Sequence, residues 1–194
     1  MPASRSQVQD ARAFAFGEFI DESDGIGYIR LTSFNDESYE DFLSAVRQMR
    51  AERPLNGLIL DLRRNSGGLL KQGIKVADRF LSSGPIVTVK SRGEPDEVHE
   101  ATSHGTWNMP LVMLVDDGSA SASEIVASAL QDGGRGLILG DRTFGKASVQ
   151  TLFSPMLRDD YYIKLTVARY YSPSGRTLQV VGVRPDLLTP PTPG

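Results

Sequence analysis

Residues 111–127 read Leu-Val-Met-Leu-Val-Asp-Asp-Gly-Ser-Ala-Ser-Ala-Ser-Glu-Ile-Val-Ala, and the rest of the chain is organised around this stretch. Its first five residues are apolar, as is typical of a buried strand. Acidic turn residues and a cluster of small hydroxyl residues follow, and then a helical pattern begins. The stretch therefore predicts a strand, a tight turn and a helix N-terminus. A serine in such a turn faces backbone N–H groups and the positive end of the helix dipole, where a negatively charged oxygen is stabilised.

A second turn, Thr-Phe-Gly-Lys at residues 143–146, supplies a lysine. A serine hydroxyl is a weak nucleophile unless a base takes its proton. A lysine can be that base only when its amine is neutral, which burial among apolar groups favours. We expect Phe144 and the neighbouring apolar strands to provide this burial. The two turns together predict a serine hydrolase that uses Lys146 as its base.

Composition narrows the class of protein. The chain has 194 residues, of which 40% are hydrophobic and 23% charged, as expected of one globular domain with a sizeable core. The net charge of −3 and the scattered basic residues argue against nucleic acid as a partner. No apolar run approaches the roughly 18 residues of a membrane span. The chain has no cysteine and two histidines, which excludes thiolate metal sites and leaves too few histidines for a histidine-rich one. A serine–lysine hydrolase needs no metal and no cofactor, so we expect none.

The order of apolar and polar runs predicts an α/β layered domain, because strands alternate with helices through the middle of the chain. Helices are predicted from Ser38 until Pro54 ends the first, over residues 69–81 and over residues 121–132. Residues 92–108, which contain the single tryptophan, are predicted to form an exposed loop or ribbon. Strands are predicted at residues 11–20, 26–31, 57–62, 86–89, 111–115, 136–140, 148–153 and 161–170. Residues 1–10 and the Pro-rich tail 189–194 are expected to be disordered, leaving residues 11–188 as the core.

Three turns follow three of these apolar runs: the loop with Gly67 and Gly68, the Ser121 turn and the Lys146 turn. Sites in parallel α/β sheets form outside the carboxyl ends of strands, so the fold is expected to bring the three turns together. The backbone N–H of Ala122 could then pair with one from the glycine loop to bind an oxyanion. Glycine suits that loop because it lets a substrate carbonyl approach the main chain closely.

Simpler interpretations of these residues remain open at this point. Serines before a helix are usually caps, which applies to Ser119, Ser121 and Ser123 alike. A lysine in a glycine-containing turn is usually solvated, and a Gly-Gly pair is most often only a turn. Asp132 most simply stabilises a helix end or a loop. The residues alone therefore make a serine–lysine pair one option among several.

Several segments, in order over residues 24–188, resemble the catalytic core of the C-terminal processing peptidases, also called tail-specific proteases. The segments that carry the resemblance are residues 27–31 (Gly-Tyr-Ile-Arg-Leu), 60–63 (Leu-Asp-Leu-Arg), Asn65 with Gly67-Gly68, 118–125 (Gly-Ser-Ala-Ser-Ala-Ser-Glu-Ile), Gln131-Asp132, Gly140, 143–146 with Val149-Gln150, Tyr170-Tyr171, 173–176 (Pro-Ser-Gly-Arg) and Pro185-Asp186. Residues 118–125 and 143–146 together are highly specific to that family.

The resemblance implies an α/β fold with a crotonase/ClpP-like mixed sheet and flanking helices. It implies a serine endopeptidase with a Ser-Lys dyad that cleaves extended or unfolded polypeptides in an extracytoplasmic setting (periplasm, cell envelope or plastid lumen). A homo-oligomer is compatible with it. The implied nucleophile is Ser121, the general base Lys146, the residue that orients the base Gln150, the supporting acid Asp132, and the oxyanion hole Ala122, Gly67 and Gly68.

The chain also departs from the family pattern. Arg64 and Ser66 stand where the family loop carries Asn and Pro, and Ala147 stands where Gly is common. No stretch is long enough for the PDZ domain that family members usually carry, so we expect it to be absent. These departures leave one alternative, a catalytically silent peptide-binding or scaffold protein on the same fold. A separate alternative is a histidine-based hydrolase with His104 as base.

Overall fold

A computed structural model describes residues 15–153 and 162–189 of the chain. It contains two sheets and three helices. In chain order the elements are β1 (Ala15–Asp21), β2 (Ile26–Leu31), α1 (Ser38–Glu52), β3 (Gly57–Asp61), α2 (Leu70–Asp78), β4 (Pro85–Ser91), β5 (Glu97–Glu100), β6 (Leu111–Val115), α3 (Ala122–Asp132), β7 (Leu137–Gly140), β8 (Ser148–Phe153), β9 (Ile163–Tyr171) and β10 (Leu187–Leu188).

The larger sheet has six strands in the order β1-β2-β3-β6-β7-β10. Its five strands from β2 to β10 are parallel, and β1 closes one edge as an antiparallel partner of β2. Strand β6 lies inside this sheet, with Leu111 opposite Leu58 of β3 and Val115 opposite Gly140 of β7. The carboxyl ends of β3, β6 and β7 therefore meet at one edge, where parallel sheets form their sites.

The smaller sheet is antiparallel, with the order β5-β4-β9-β8. The predicted hairpin is confirmed, since β8 pairs with β9 from Ser148 opposite Arg169 to Phe153 opposite Ile163. Because β8 has no second partner among the described strands, it forms one edge of this sheet, and β5 forms the other. The predicted mixed sheet with flanking helices is confirmed.

Helix α3 is the most enclosed element of the fold. All residues from Ala122 to Leu130 are buried, as expected of a helix with apolar and small side chains on every face. The helix packs beside α2 and contacts both β7 of the larger sheet and β4 of the smaller one. Its first turn is consequently held from several directions, which matters for the residue just before it.

The prediction that residues 92–108 are simply exposed was wrong at Trp107. Its ring packs against Phe42 and Phe80 at centroid distances of 5.5 and 5.6 Å. Its backbone N–H donates to the carbonyl of Arg79, at the end of α2. The half-buried ring contributes a large apolar surface to this packing, which a wholly exposed loop would leave in water.

The bounds of the predicted elements agree with the structure within a few residues, α2 is shorter than predicted, and the short strand β10 was not predicted. Residues 1–10 and 190–194 of the segments expected to be disordered lie outside the described residues, whereas Thr189 is described and donates its N–H to the carbonyl of Gly140 at 2.9 Å. No helix in the described ranges is long and apolar enough to cross a membrane.

Candidate active site

Ser121 stands on a strained turn between β6 and α3. Its backbone angles are φ 56° and ψ −113°, a region that non-glycine residues rarely adopt. The residue immediately precedes the first turn of α3, so the positive end of the helix dipole lies beside it. Strain of this kind persists only where the surroundings hold it, and it is concentrated at functional sites.

The three serines of this turn have different surroundings. The Ser119 hydroxyl donates to the carbonyl of Leu62 at 2.8 Å, and the Ser123 hydroxyl donates to the carbonyl of Asn65 at 2.9 Å. Both serines are fully buried, whereas Ser121 is 8% exposed. The Ser121 hydroxyl donates to no group in the described part of the chain, so its proton is available to a base. Ser119 and Ser123 therefore have structural hydrogen bonds, and Ser121 is the serine of this turn that remains a candidate nucleophile.

A buried carboxylate, that of Glu124, joins the Ser121 turn to the Lys146 turn. Its Oε2 accepts the backbone N–H groups of Ser121 and of Lys146, each at 2.8 Å. Its Oε1 accepts the N–H of Gly145 at 2.7 Å and the hydroxyl of Thr143 at 2.6 Å. Glu124 has no exposed surface, and these four bonds offset the cost of burying its charge. One oxygen atom therefore holds the two predicted dyad residues next to each other.

The Lys146 turn is also held from its other side, by residues 177–183. Gln179 Oε1 accepts the N–H of Ala147 at 2.9 Å, and the N–H of Val180 donates to the carbonyl of Gly145 at 2.8 Å. The hydroxyl of Thr143 accepts the N–H of Val183 at 2.7 Å. The turn is thus fixed between Glu124 and this loop, with Lys146 half-buried.

The glycine loop packs directly on the Ser121 turn. A Cβ atom on Gly67 would lie 2.7 Å from the Ser121 Cβ and 2.9 Å from the Ala122 nitrogen, so only glycine fits there. Buried Asn65 secures the approach: its carbonyl accepts the N–H of Ala120, and its Nδ2 donates to the carbonyl of Leu31.

The two glycines differ in what their N–H groups do. The N–H of Gly67 donates to Asn65 Oδ1 at 2.9 Å and is therefore already engaged. The N–H groups of Gly68 and Ala122 donate to no described residue. Of the three positions predicted to bind an oxyanion, these two are the ones whose donors are free to bind one.

An ion pair holds the start of the glycine loop at the end of β3. Arg63 donates to both carboxylate oxygens of fully buried Asp61, and the Tyr28 hydroxyl donates to the same group at 2.5 Å. Burial would raise the pKa of the Asp61 carboxyl, but the hydrogen bonds from Arg63 and Tyr28 outweigh it and hold that pKa below its usual range. The loop thus begins from a rigid, charged anchor.

Asp132 lies at the far end of α3, about 16 Å along the helix axis from Ser121. Its carboxylate accepts the N–H and the hydroxyl of Ser174 and pairs with Arg176. Burial would raise the pKa of Asp132, but hydrogen bonds from Ser172 and Ser174 lower it, and the Arg176 charge adds to that effect. The structure does not place this carboxylate beside the dyad.

Other predicted positions are not brought to the site in the expected way. The exposed side chain of Gln150 makes no hydrogen bond with Lys146 or any other residue in the described ranges. Phe144, which was expected together with the neighbouring apolar strands to bury Lys146, is itself 65% exposed, and Lys146 is half-buried. Phe144 points outward because Thr143 and Gly145 on either side turn inward to Glu124. His104 is an exposed loop residue. No cluster of three or more metal-binding side chains occurs among residues 15–153 and 162–189.

Sequence reasoning missed the roles of Glu124, Asn65 and Thr143. Glu124 carried a readable signal, since a serine followed three positions later by a glutamate is typical of a capping box. That pattern predicts the bond from the Ser121 N–H, but not the bonds to the Lys146 turn. The bonds to the Lys146 turn depend on tertiary structure, because residues 141–147 follow β7 and lie beside the start of α3 only in the folded chain.

The chain is similar to several known proteases. A carboxy-terminal-processing protease of Bartonella bacilliformis is 43% identical over 168 residues, which is 84% of this chain and 38% of that protein. A carboxyl-terminal-processing protease of Synechocystis is 42% identical over 161 residues, 83% of this chain and 37% of that protein. The structure of a photosystem II D1 C-terminal processing protease matches with a TM-score of 0.77 and 37% identity, covering 86% of this chain and 42% of that chain.

The chain thus spans less than half the length of these relatives. The model of peptidase family S41 matches residues 25–189, which contain both turns, the glycine loop and the buried carboxylate. On this match and the identity to curated relatives, the chain belongs to peptidase family S41.

Proposed function

We propose that this chain is a serine-type endopeptidase domain in which Ser121 is the nucleophile and Lys146 the general base. One observation carries the proposal: a single buried carboxylate oxygen binds the backbone N–H groups of both residues. That contact supports the pairing, because it fixes a strained serine at a helix N-terminus beside the turn that bears the lysine.

In the proposed reaction Lys146 accepts the proton of the Ser121 hydroxyl, and the oxygen attacks the scissile carbonyl. The N–H groups of Gly68 and Ala122 bind the oxyanion that forms. The lysine then gives its proton to the leaving amine, and an acyl-enzyme remains. Lys146 next activates a water molecule, which hydrolyses the ester and regenerates the serine. Gln150 would orient the lysine once a substrate is bound.

The proposed substrate is an extended or unfolded polypeptide. Strand β8 begins two residues after Lys146 and, among the described strands, lies at an edge of its sheet. An extended peptide could add to that edge as a further strand, with its main chain supplying most of the contacts. Because the main chain would supply most of the contacts, we expect loose, apolar side-chain specificity. We also propose that this domain acts outside the cytoplasm, in a periplasm, cell envelope or plastid lumen.

The test is cleavage of casein by the unchanged chain, by Ser121→Ala and by Lys146→Ala. A matched control is Lys90→Ala, which removes an exposed lysine on β4 that pairs with Asp96. We expect turnover in the unchanged chain and the control, and none in the two site variants, with all four folded by circular dichroism. Undiminished cleavage by Lys146→Ala would disprove the proposed base. Peptide binding without any cleavage would favour a silent binding protein instead.

A further inference from the structure

Val180 combines strain with exposure. It adopts φ 69°, a left-handed conformation that is a genuine outlier for a β-branched residue. Its side chain is nonetheless 82% exposed, so packing within the described fold does not compensate for that strain. A glycine at this position would avoid the strain altogether. The chain thus holds an apolar side chain in water at a conformational cost.

The loop around Val180 is firmly anchored on both sides. Leu178 and Val183 are buried in the core, and the N–H of Gly182 donates to the carbonyl of Leu178 at 3.0 Å. The N–H of Val180 itself donates to the carbonyl of Gly145. The loop therefore cannot relax without losing these contacts, and Val180 is presented in one fixed place.

That place is beside the proposed base. Gly145, to which Val180 is bonded, directly precedes Lys146, and a Cβ atom on Gly145 would lie 2.8 Å from the Val180 carbonyl carbon. Phe144 in the same turn is 65% exposed, although its neighbours on both sides are buried. Two exposed apolar side chains therefore lie at the lysine turn, Phe144 within it and Val180 on the loop that is bonded to it.

We propose that Phe144 and Val180 form an apolar subsite that takes one apolar side chain of the polypeptide substrate, at one of the two positions that flank the scissile bond. The proposal rests on the proposed endopeptidase function. Its occupant follows from continuity with the dyad: the Glu124 carboxylate binds the N–H groups of Ser121 and of Gly145, the residue after Phe144, so substrate residues beside the scissile bond would lie next to this turn. Side chains alternate along an extended peptide, so one position beside the bond faces this turn and the other faces away.

The test uses peptides that differ only at these two positions, each carrying either leucine or serine. We expect the unchanged chain to cleave the leucine peptide with a kcat/KM about tenfold higher than the serine peptide at one position and about equal at the other. Val180→Ala and Phe144→Ala should each bring that ratio close to one. Val98→Ala is the control, because it shortens an exposed valine at the opposite edge of the smaller sheet.

Val180→Gly separates binding from folding. It should also abolish the preference for leucine, while its melting temperature should equal or exceed that of the unchanged chain because the strain is relieved. A preference that survives in all three variants would overturn the subsite, even if their rates fell. A chain that cleaves no peptide would instead count against the proposed endopeptidase function, so the two failures are distinguishable.

Discussion

The two ends of helix α3 both carry a carboxylate, but the two groups are held in different ways. Glu124 near the N-terminal end is fully buried and binds three backbone N–H groups and one hydroxyl. Asp132 at the C-terminal end is partly exposed and is bound largely by side chains of a surface turn. Backbone donors have no rotamer freedom to lose, so the first arrangement fixes geometry more tightly than the second.

Glu124 therefore fixes the positions of residues at the site, whereas Asp132 mainly stabilises the fold at the other end of the helix. A displacement of Glu124 would move both Ser121 and Lys146, since one oxygen binds both. A displacement of Asp132 would loosen the turn with Ser174 and Arg176, which leads into residues 177–183. Charge removal at the two ends should therefore have unequal effects on turnover.

Glu124→Gln should have the largest effect. An amide keeps the size of the side chain but turns an NH₂ group toward N–H donors that need an acceptor. We expect kcat on casein-derived peptides to fall at least about a hundredfold with a smaller change in KM, and the free energy of unfolding to fall by about 2–4 kcal/mol. Steady-state kinetics and urea unfolding measure the two effects. Asp132→Asn is the matched control, and equal kcat losses in both variants would remove the distinction between the two ends.

Gly67→Ala should come next, because its new methyl group would meet the Cβ of Ser121. We expect kcat/KM to fall by at least about tenfold, as an error in placing the nucleophile is costly. The control is Gly84→Ala, a glycine that also has a positive φ but has nothing near its missing Cβ. Gly84→Ala should lose about 1 kcal/mol of stability and keep its activity. Normal activity in Gly67→Ala would mean that the loop does not contact the reacting serine.

Asp132→Asn should have a moderate effect that depends on pH. The folded state holds the pKa of Asp132 below its ordinary value, so the carboxylate stabilises the fold above about pH 4. That contribution is lost as the pH falls through the folded pKa. We expect the variant to be about 1 kcal/mol less stable at pH 7, after allowing for screening of the exposed Arg176 partner. The gap should close below pH 4 in thermal melts, and a gap independent of pH would contradict this account.

Arg64→Asn should have the smallest effect and the opposite sign. Arg64 is exposed and adopts φ 60°, a conformation that asparagine tolerates better than arginine. We expect the variant to be more stable by about 0.5 kcal/mol, because Arg64 uses only its N–H for hydrogen bonding to the described residues, in a bond to Asp116 that asparagine keeps. Urea unfolding measures the change. A loss of stability would show that the arginine side chain contributes more than its strained backbone costs.

Much of this architecture can be predicted from the sequence. The apolar run at Leu111–Val115 and the small residues after it predict the central strand and the turn. Their period and their turn residues are local properties that do not depend on the rest of the chain. The same holds for the hairpin of β8 and β9, although its register needed the structure.

The contacts of Glu124 with the Lys146 turn could not be predicted in this way. They join residues 19 to 22 positions apart and depend on the crossing of β7 beside β6. The orientation of Phe144 depends on the same contacts, since Glu124 draws its neighbours inward. The left-handed conformation of Val180 gave no signal at all, because valine disfavours it and only the anchoring of residues 177–183 imposes it.

Trp107 offers a practical consequence of the aromatic cluster with Phe42 and Phe80. It is the single tryptophan of the chain, so the intrinsic fluorescence of this protein reports on one location. At that location Trp107, in the segment before β6, packs against Phe42 of α1 and Phe80 after α2, and its N–H donates to the carbonyl of Arg79. A change in emission that precedes the loss of helical circular dichroism would identify detachment of this segment as a separate early step of unfolding. In one sample, the fluorescence would then report on the packing around Trp107, and turnover would report on the site.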